Sequence, residues 1–227
     1  MMYGNSRGIS SRQDTVHDKL ERLLERHLAS GFERPIPDVA REAFAKVMAD
    51  HDASMPIVLD AGCGVGWSTL TLAREYPDHF VIGVDQSSDR IERGKPGEQA
   101  PNVRFVRADL VDFWRLLHLH GVRLARHYLL YPNPWPKIGH LSRRWHGHAV
   151  FPVIPLLGGE LELRTNWRIY ADEFALAMNR LTGHTDGVTE YQAPTPLTPF
   201  ERKYRDSGQR LWRYCTDLRA HPGTGPA

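Results

Sequence analysis

The stretch LDAGCGVGWS, residues 59–68, decides the fold class. It starts inside a short apolar segment, IVLDAG (57–62), and then places glycines at alternate positions, Gly62, Gly64 and Gly66. Glycine has no Cβ, so this run allows a tight turn and lets a ligand approach the backbone closely. A helical pattern follows at about 67–76, which predicts a strand, a glycine turn and a helix in succession.

Strand and helix patterns alternate along the rest of the chain. Further strands are predicted at 79–85, 102–109, 125–132, 159–165 and 210–216. Helices are predicted at 14–30 (with Asp14 or Thr15 as N-cap and Gly31 as the end), 38–50, 87–94, 111–120, 148–158 (interrupted by Pro152 and Pro155) and 166–181. This alternation predicts an α/β fold, an open and mostly parallel sheet with helices on both faces.

Acidic residues end the first three predicted strands and indicate the ligand. Asp85 follows Gly66 by nineteen residues, the place from which a carboxylate accepts hydrogen bonds from ribose hydroxyls. The glycine spacing is G-x-G-x-G rather than G-x-G-x-x-G, and Asp60 stands two residues before the first glycine. A pyrophosphate is repelled by an adjacent carboxylate, whereas a ligand with an amino cation is attracted. The combination resembles motif I of the class I S-adenosylmethionine (SAM) methyltransferases, in which Asp109 corresponds to the acid placed against the adenine amino group.

Composition excludes several other classes of protein. The chain has 227 residues, 41% of them hydrophobic, and a net charge of +2, as in an ordinary globular protein. No apolar run reaches the length of a membrane span, and the first residues have no apolar core typical of a signal peptide. Two cysteines, Cys63 and Cys215, fit a reducing compartment, so we expect a cytoplasmic protein without membrane contact. Cys63 is expected to be a packing residue.

The most specific motif follows the fourth predicted strand: YPNPWPKIGHLSRRWHGH, residues 131–148. It resembles the signature of the TrmB-like tRNA (guanine-N7)-methyltransferases. RTNW (164–167) and TPFE (198–201) resemble two further motifs of that family, so the likeness covers about 55–217. It implies a Rossmann-like, seven-stranded, mostly parallel sheet, SAM as cofactor and tRNA as partner. It also implies a methyltransferase domain at 51–220, after an N-terminal helical arm at 1–50; the tail at 221–227 is expected to be disordered.

The resemblance also implies roles for individual residues. Asn133 occupies the position beside the methyl donor and is the expected catalytic residue. SAM is expected to be held by Asp60, Gly62, Gly64, Gly66, Asp85, Asp109 and Asn133. The tRNA substrate is expected to contact Lys137, Arg143, Arg144, Asn166, Thr198, Pro199, Phe200 and Glu201.

Two departures from the family pattern leave the substrate open. Asn133 and Asn166 stand where the family has aspartates. An Asp accepts from both N1–H and N2–H of guanine, whereas an Asn offers one acceptor and one donor, so weaker guanine recognition is expected. Asn133-Pro134 is also similar to the N-P-P-[YF] loop of amino-methyltransferases, which methylate an exocyclic or amide nitrogen. The remaining alternatives are a methyltransferase for a protein or small molecule, and a non-catalytic RNA-binding relative.

Basic and aromatic residues alternate within the same loop. Trp135 and Trp145 stand among cations, which suits stacking on bases and contact with phosphates. The cations are Lys137, His140, Arg143, Arg144, His146 and His148. The histidines lack a nearby cysteine or carboxylate to complete a ligand set, so no metal is expected. The protein is expected to be a monomer.

Overall fold

A computed structural model describes residues 6–94 and 100–221. The strands are β1 (Ile57–Ala61), β2 (Phe80–Asp85), β3 (Val103–Arg107), β4 (Leu124–Leu130), β5 (Glu160–Thr165), β6 (Val188–Tyr191) and β7 (Leu211–Asp217). The helices are α1 (Leu20–Ser30), α2 (Asp38–Ala49), α3 (Trp67–Glu75), α4 (Ser88–Gly94), α5 (Leu110–Leu119), α6 (Val153–Leu156), α7 (Arg168–Thr182) and α8 (Pro199–Asp206). Two 3-10 helices lie at Ile138–Arg143 and Trp145–Gly147.

The strands form one seven-stranded sheet in the order β3-β2-β1-β4-β5-β7-β6. β1 pairs in parallel with β2 and β4, and β2 pairs in parallel with β3, whereas β6 and β7 are antiparallel. Every residue of β1 and β2 is buried, as expected for parallel strands covered on both faces. The predicted fold class is confirmed.

The chain forms two compact units. Among the described residues, the glycine-loop unit comprises Arg34–Leu130, Leu156–Leu161 and 217–221. The proline-loop unit comprises the described residues 6–33, Tyr131–Pro155 and Glu162–Thr216. The boundaries predicted for an arm at 1–50 and a domain at 51–220 stay a prediction. The predicted tail, except for His221, lies outside the described residues.

Several elements differ from the sequence-based expectations. α1 begins at Leu20, because the backbone amide of His17 donates to the Glu173 side chain and the preceding residues do not enter a helix. Over 148–158 only Val153–Leu156 is helical, since prolines supply no backbone N–H for a helical ladder. Between the predicted helix at 166–181 and the predicted last strand at 210–216, where no element was predicted, the chain forms β6 and α8. Across the described part of the chain, no helix is long and apolar enough to cross a membrane.

Candidate active site

The glycine loop is fixed to the end of β2 by backbone hydrogen bonds. The amides of Gly62 and Cys63 donate to the carbonyl oxygen of Val84 at 2.8 and 3.0 Å, and the amide of Gly64 donates to Asp85 Oδ2 at 3.0 Å. Gly64 and Gly66 have φ angles of 58° and 78°, which side-chain-bearing residues rarely adopt. A Cβ on Gly66 would lie 2.5 Å from the Phe105 ring, whereas a Cβ on Gly64 would meet open space. The loop therefore leaves room beside Gly64.

Asp60 is a fully buried carboxylate at the start of this loop. Its Oδ2 accepts hydrogen bonds from Ser68 Oγ and Thr69 Oγ1, both at 2.6 Å. Its Oδ1 is buried and has no hydrogen-bond partner among the described residues. Burial raises the pKa of Asp60 to about 6, although the two hydroxyls favour the charged form. An ammonium group would satisfy the vacant oxygen and offset the desolvation of the charge.

Asp85 is the last residue of β2, and Asp109 lies between β3 and α5. Nearby donors hold both carboxylates. Asp85 Oδ1 accepts from the Ser87 amide at 2.8 Å and lies 3.3 Å from Arg90. Asp109 caps α5, because its Oδ1 accepts from the Val111 amide at 2.9 Å. The other oxygen of Asp109 accepts from Arg34 at 3.1 Å. Both carboxylates are thus oriented by the fold and keep lone pairs for a ligand.

A cavity of ≈ 550 Å³ lies within the glycine-loop unit, beside the ends of β2 and β3. Gln86 and the segment 107–109 form one side of it. Arg34, Pro35, Pro37 and Val39 form another, and Val39 is 72% exposed. The apolar wall suits a planar ring and the acidic edge suits its amino group. This wall was not predicted from the sequence, because residues 34–39 carry no recognisable motif.

The loop after β4 has an unusual backbone. Tyr131 and Trp135 have φ angles of 53° and 45°, a region that costs free energy for residues other than glycine. Between them, exposed Asn133 accepts a hydrogen bond at its Oδ1 from the Trp135 amide at 3.3 Å. Because a backbone amide only donates, this contact places the Asn133 side-chain oxygen toward the Trp135 amide. The Asn133 Nδ2 has no hydrogen-bond partner among the described residues.

Asn166 has the opposite orientation. Its Nδ2 donates to Gln209 Oε1 at 2.8 Å, and Gln209 Nε2 donates to the carbonyl oxygen of Ser6 at 2.9 Å. A carbonyl only accepts, so this chain leaves Asn166 with its Oδ1 as the available group. The Tyr131 amide donates to the Arg164 carbonyl oxygen at 2.8 Å, which places Asn133 and Asn166 two residues beyond the same point of pairing.

The TPFE segment (198–201) contacts the first residue of the loop that follows β4. Glu201 is fully buried and accepts from the Tyr131 hydroxyl at 2.9 Å, Arg164 Nη1 at 3.1 Å and the Leu197 amide at 2.6 Å. Thr198 caps α8 by accepting from the Glu201 amide at 2.9 Å. Burial and the Glu201 charge both raise the pKa of Tyr131. Pro199 is partly exposed and Phe200 is 53% exposed, so the accessible surface of this segment is theirs.

The basic residues of the loop divide into an exposed and a buried set. Lys137 and Arg143 are exposed, and Arg143 lies 4.8 Å over the Trp135 ring. Arg144 is fully buried and pairs with Glu173 at 2.6 Å, and it also donates to the carbonyl oxygen of Trp135. In this arrangement Arg144 has no surface to offer a substrate.

His146 is also fully buried, with Nε2 2.7 Å from Glu173 Oε2. Desolvation lowers the pKa of His146 despite this contact. Arg144 and His146, which the sequence placed among the basic residues available to phosphates, are therefore buried and do not lie on the surface of the loop. Glu173, which holds both, was not found from the sequence, since a single acid on a helix gives no signal of its partners.

The sheet order, the glycine loop and the acids that follow the strands define a class I, Rossmann-like methyltransferase. The 16S rRNA methyltransferase KamB shares the fold, with a TM-score of 0.56 at 18% identity over 82% of this chain and 96% of that one. Residues 54–214 match a family model described as a putative methyltransferase.

Two curated relatives identify the family within this class. It is 32% identical to a tRNA (guanine-N(7)-)-methyltransferase of Nocardioides sp., over 81% of this chain and 75% of that one. It is 29% identical to the protein of the same name in Zymomonas mobilis, over 94% and 92%. This chain belongs to the TrmB-like family of class I SAM-dependent methyltransferases. It is an enzyme that uses SAM, and the Asp60 oxygen that lacks a partner in the described part of the chain is a fitting acceptor for the amino group of that cofactor.

Proposed function

We propose that this enzyme transfers a methyl group from SAM to N7 of a guanine in tRNA. The opposed orientation of two amides carries the proposal: Asn133 presents a donor and Asn166 an acceptor at aligned positions. Guanine offers an acceptor at O6 next to donors at N1 and N2, which complements this pair. Adenine has a donor at N6 and would face the Asn133 donor with a like group. The names of the relatives agree with guanine as the substrate.

The chemistry needs positioning rather than proton removal. SAM, when bound, supplies an electrophilic methyl group on a sulfonium centre. Guanine N7 carries an in-plane lone pair and no proton, so the N7–C bond forms as the S–C bond breaks, and no general base is required. The positive charge passes from sulfur to the guanine ring. The residues must therefore hold N7 in line with the S–C bond, and Asn133 is proposed as the catalytic residue that does so.

The other residues are proposed to hold the two substrates. Asp60 is the acceptor for the SAM ammonium, Asp85 for the ribose, and Asp109 for the adenine amino group, with Gly62, Gly64 and Gly66 allowing close approach. Lys137 and Arg143 are proposed to contact phosphates, and exposed Phe200 offers a ring on which a base can stack. Arg144, Thr198 and Glu201 are proposed to act by holding the loop, because their polar groups are occupied within the protein. A cytoplasmic monomer is proposed.

The test is methyl transfer from labelled SAM to tRNA from a host that lacks this gene, followed by nucleoside mass spectrometry. The expected product is 7-methylguanosine, absent when Asn133→Ala replaces the wild type and present with Gln192→Ala, an exposed control in the same unit. A methylated exocyclic amine would instead establish the amino-methyltransferase chemistry. Unlabelled tRNA from an enzyme that still binds SAM would refute the proposal and leave a protein, a small molecule or a non-catalytic RNA-binding role.

A further inference from the structure

Residues 6–17 precede α1 without helical structure, and we call them the N-terminal strap. The strap lies against the loop that carries Lys137 and Arg143. Ser11 Oγ donates to the carbonyl oxygen of Pro136 at 2.6 Å. His17 Nε2 lies 3.2 Å from the carbonyl oxygen of Ile138. The strap therefore contacts the carbonyl oxygens of the residues immediately before and after Lys137.

Gln13 connects the strap to the buried ion pair beneath the same loop. Its Nε2 donates to Glu173 Oε1 at 2.5 Å, and its Oε1 accepts from Arg144 Nη2 at 3.0 Å. Arg144 and Glu173 are themselves paired at 2.6 Å and fully buried. Gln13, Arg144 and Glu173 thus form a closed ring of hydrogen bonds. Arg144 in turn donates to the carbonyl oxygens of Trp135 and Lys137, so the ring reaches the loop backbone.

The beginning of the strap contacts Gln209, which orients Asn166, the second of the two amides proposed to recognise guanine. The carbonyl oxygen of Ser6 accepts from Gln209, and this contact fixes which end of the Gln209 amide faces Asn166. The Ser6 amide also donates to Ser207 Oγ at 3.2 Å. Without Ser6, the Gln209 amide would be free to rotate by half a turn. Asn166 would then follow and present a donor instead of an acceptor.

We propose that the N-terminal strap pre-organises the tRNA-binding loop, with Ser11 and Gln13 as positioning residues. The inference deepens the proposed function and rests on it for the identity of the RNA. The loop 136–144 has only a 3-10 helix, and Trp135 before it holds a costly φ angle, so neighbouring contacts must maintain its shape. A loop that is already ordered loses less conformational entropy when RNA binds. The strap contacts named above all go to residues of the proline-loop unit, so we expect the Kd for SAM to stay close to that of the wild type.

Three variants of the full-length enzyme test the strap. Ser11→Ala and Gln13→Ala each remove side-chain contacts to the loop or its ion pair, while Thr15→Ala changes an exposed neighbour whose side chain does not reach the loop. Hydrogen–deuterium exchange of amides 137–144 is measured without ligand. The Kd for SAM and kcat/KM for tRNA are measured alongside. Ser11→Thr keeps a hydroxyl donor and serves as the rescue.

We expect the exchange of amides 137–144 to rise and kcat/KM for tRNA to fall by about tenfold in Gln13→Ala, the ratio set by losing a hydrogen bond to a charged group. Ser11→Ala should show a smaller loss that Ser11→Thr restores, with the Kd for SAM within about twofold throughout. Unchanged exchange of amides 137–144 in both alanine variants would refute the proposal that the strap pre-organises the loop. So would a parallel rise across the whole chain with weaker SAM binding, which indicates general destabilisation. If the wild type methylates no tRNA, the proposed function fails, and the exchange measurement alone decides on the strap.

Discussion

The hydroxyl of Tyr131 donates a hydrogen bond to Glu201 at 2.9 Å, and this contact joins the first residue of the loop that carries Asn133 to the first turn of α8. Tyr131 has a positive φ angle, and Glu201 is fully buried beside Arg164. The strained residue is thus held by a charged acceptor that is itself paired. The orientation of the Asn133 loop depends on this arrangement, although Glu201 has no exposed surface.

Removing either partner should destabilise the fold by different amounts. Tyr131→Phe deletes one hydrogen bond to a charged group and should lower the free energy of unfolding by about 2 kcal/mol. Glu201→Ala should cost about 3–5 kcal/mol, because it leaves Arg164 without one of its two carboxylates. Urea unfolding measures both, with exposed Lys203→Ala expected within about 0.5 kcal/mol of the wild type. Equal losses in the two variants would show that the Tyr131 hydroxyl, not the buried charge, dominates.

The amides of Asn133 and Asn166 should respond differently to the same change. Asn133→Asp replaces the outward donor with an acceptor and should lower kcat/KM for tRNA by about tenfold or more, since like groups would then face guanine O6. Asn166→Asp keeps the outward acceptor and should stay within about threefold, the size of a small loss in free energy. Steady-state methylation of tRNA measures both. The resemblance to the family, whose Asp accepts from two guanine donors, favours the opposite result for Asn133→Asp, so a gain in activity would refute the outward position of the Asn133 Nδ2.

The structure also shows which features the sequence could reveal. β1 and β2 are continuous apolar runs before glycine or acid, and their positions agree with the prediction to within about one residue. The start of α1 was predicted wrongly, because the tie between His17 and Glu173 joins positions 156 apart in the chain. The burial of Arg144 by Glu173 and the orientation of Asn166 by Gln209 and Ser6 depend on equally remote partners. Local patterns carry no information about such contacts.

SAM affinity should depend on pH through Asp60. Its pKa is raised to about 6 by burial, so the carboxyl group of the free enzyme takes up a proton as the pH falls through that value. A protonated carboxyl attracts an ammonium group far less, and the Kd for SAM should therefore increase below pH 6, approaching tenfold per pH unit. Calorimetric titration at pH 5, 6 and 7 measures this dependence. Asp60→Asn should bind weakly at every pH, and a wild-type Kd that does not change between pH 5 and 7 would remove Asp60 from the ammonium site.

The same pKa shift predicts how the stability of the free enzyme changes with pH. Because the folded-state value lies above the unfolded value of 3.8, folding is favoured by protonation, and stability decreases as the pH rises from about 4 to 6. The decrease attributable to Asp60 is on the order of 3 kcal/mol. Asp60→Asn should abolish this part of the profile while Ser68 and Thr69 keep an oxygen to bond. Denaturant unfolding of the two proteins at pH 4.5 and 7 compares them directly.

Two glycines of one loop should separate stability from cofactor binding. Gly66→Ala brings a Cβ within 2.5 Å of the Phe105 ring at a φ of 78°, so it should cost about 3 kcal/mol of folding free energy through overlap and backbone strain. Gly64→Ala meets open space, and its strain alone should cost about 1 kcal/mol. If a ligand lies against the backbone at Gly64, the added methyl group occupies that volume, and the Kd for SAM should rise by about tenfold or more although the protein remains folded. Thermal unfolding with and without SAM measures both effects. A Gly64→Ala enzyme that binds SAM as the wild type does would show that the cofactor does not approach the loop at this glycine.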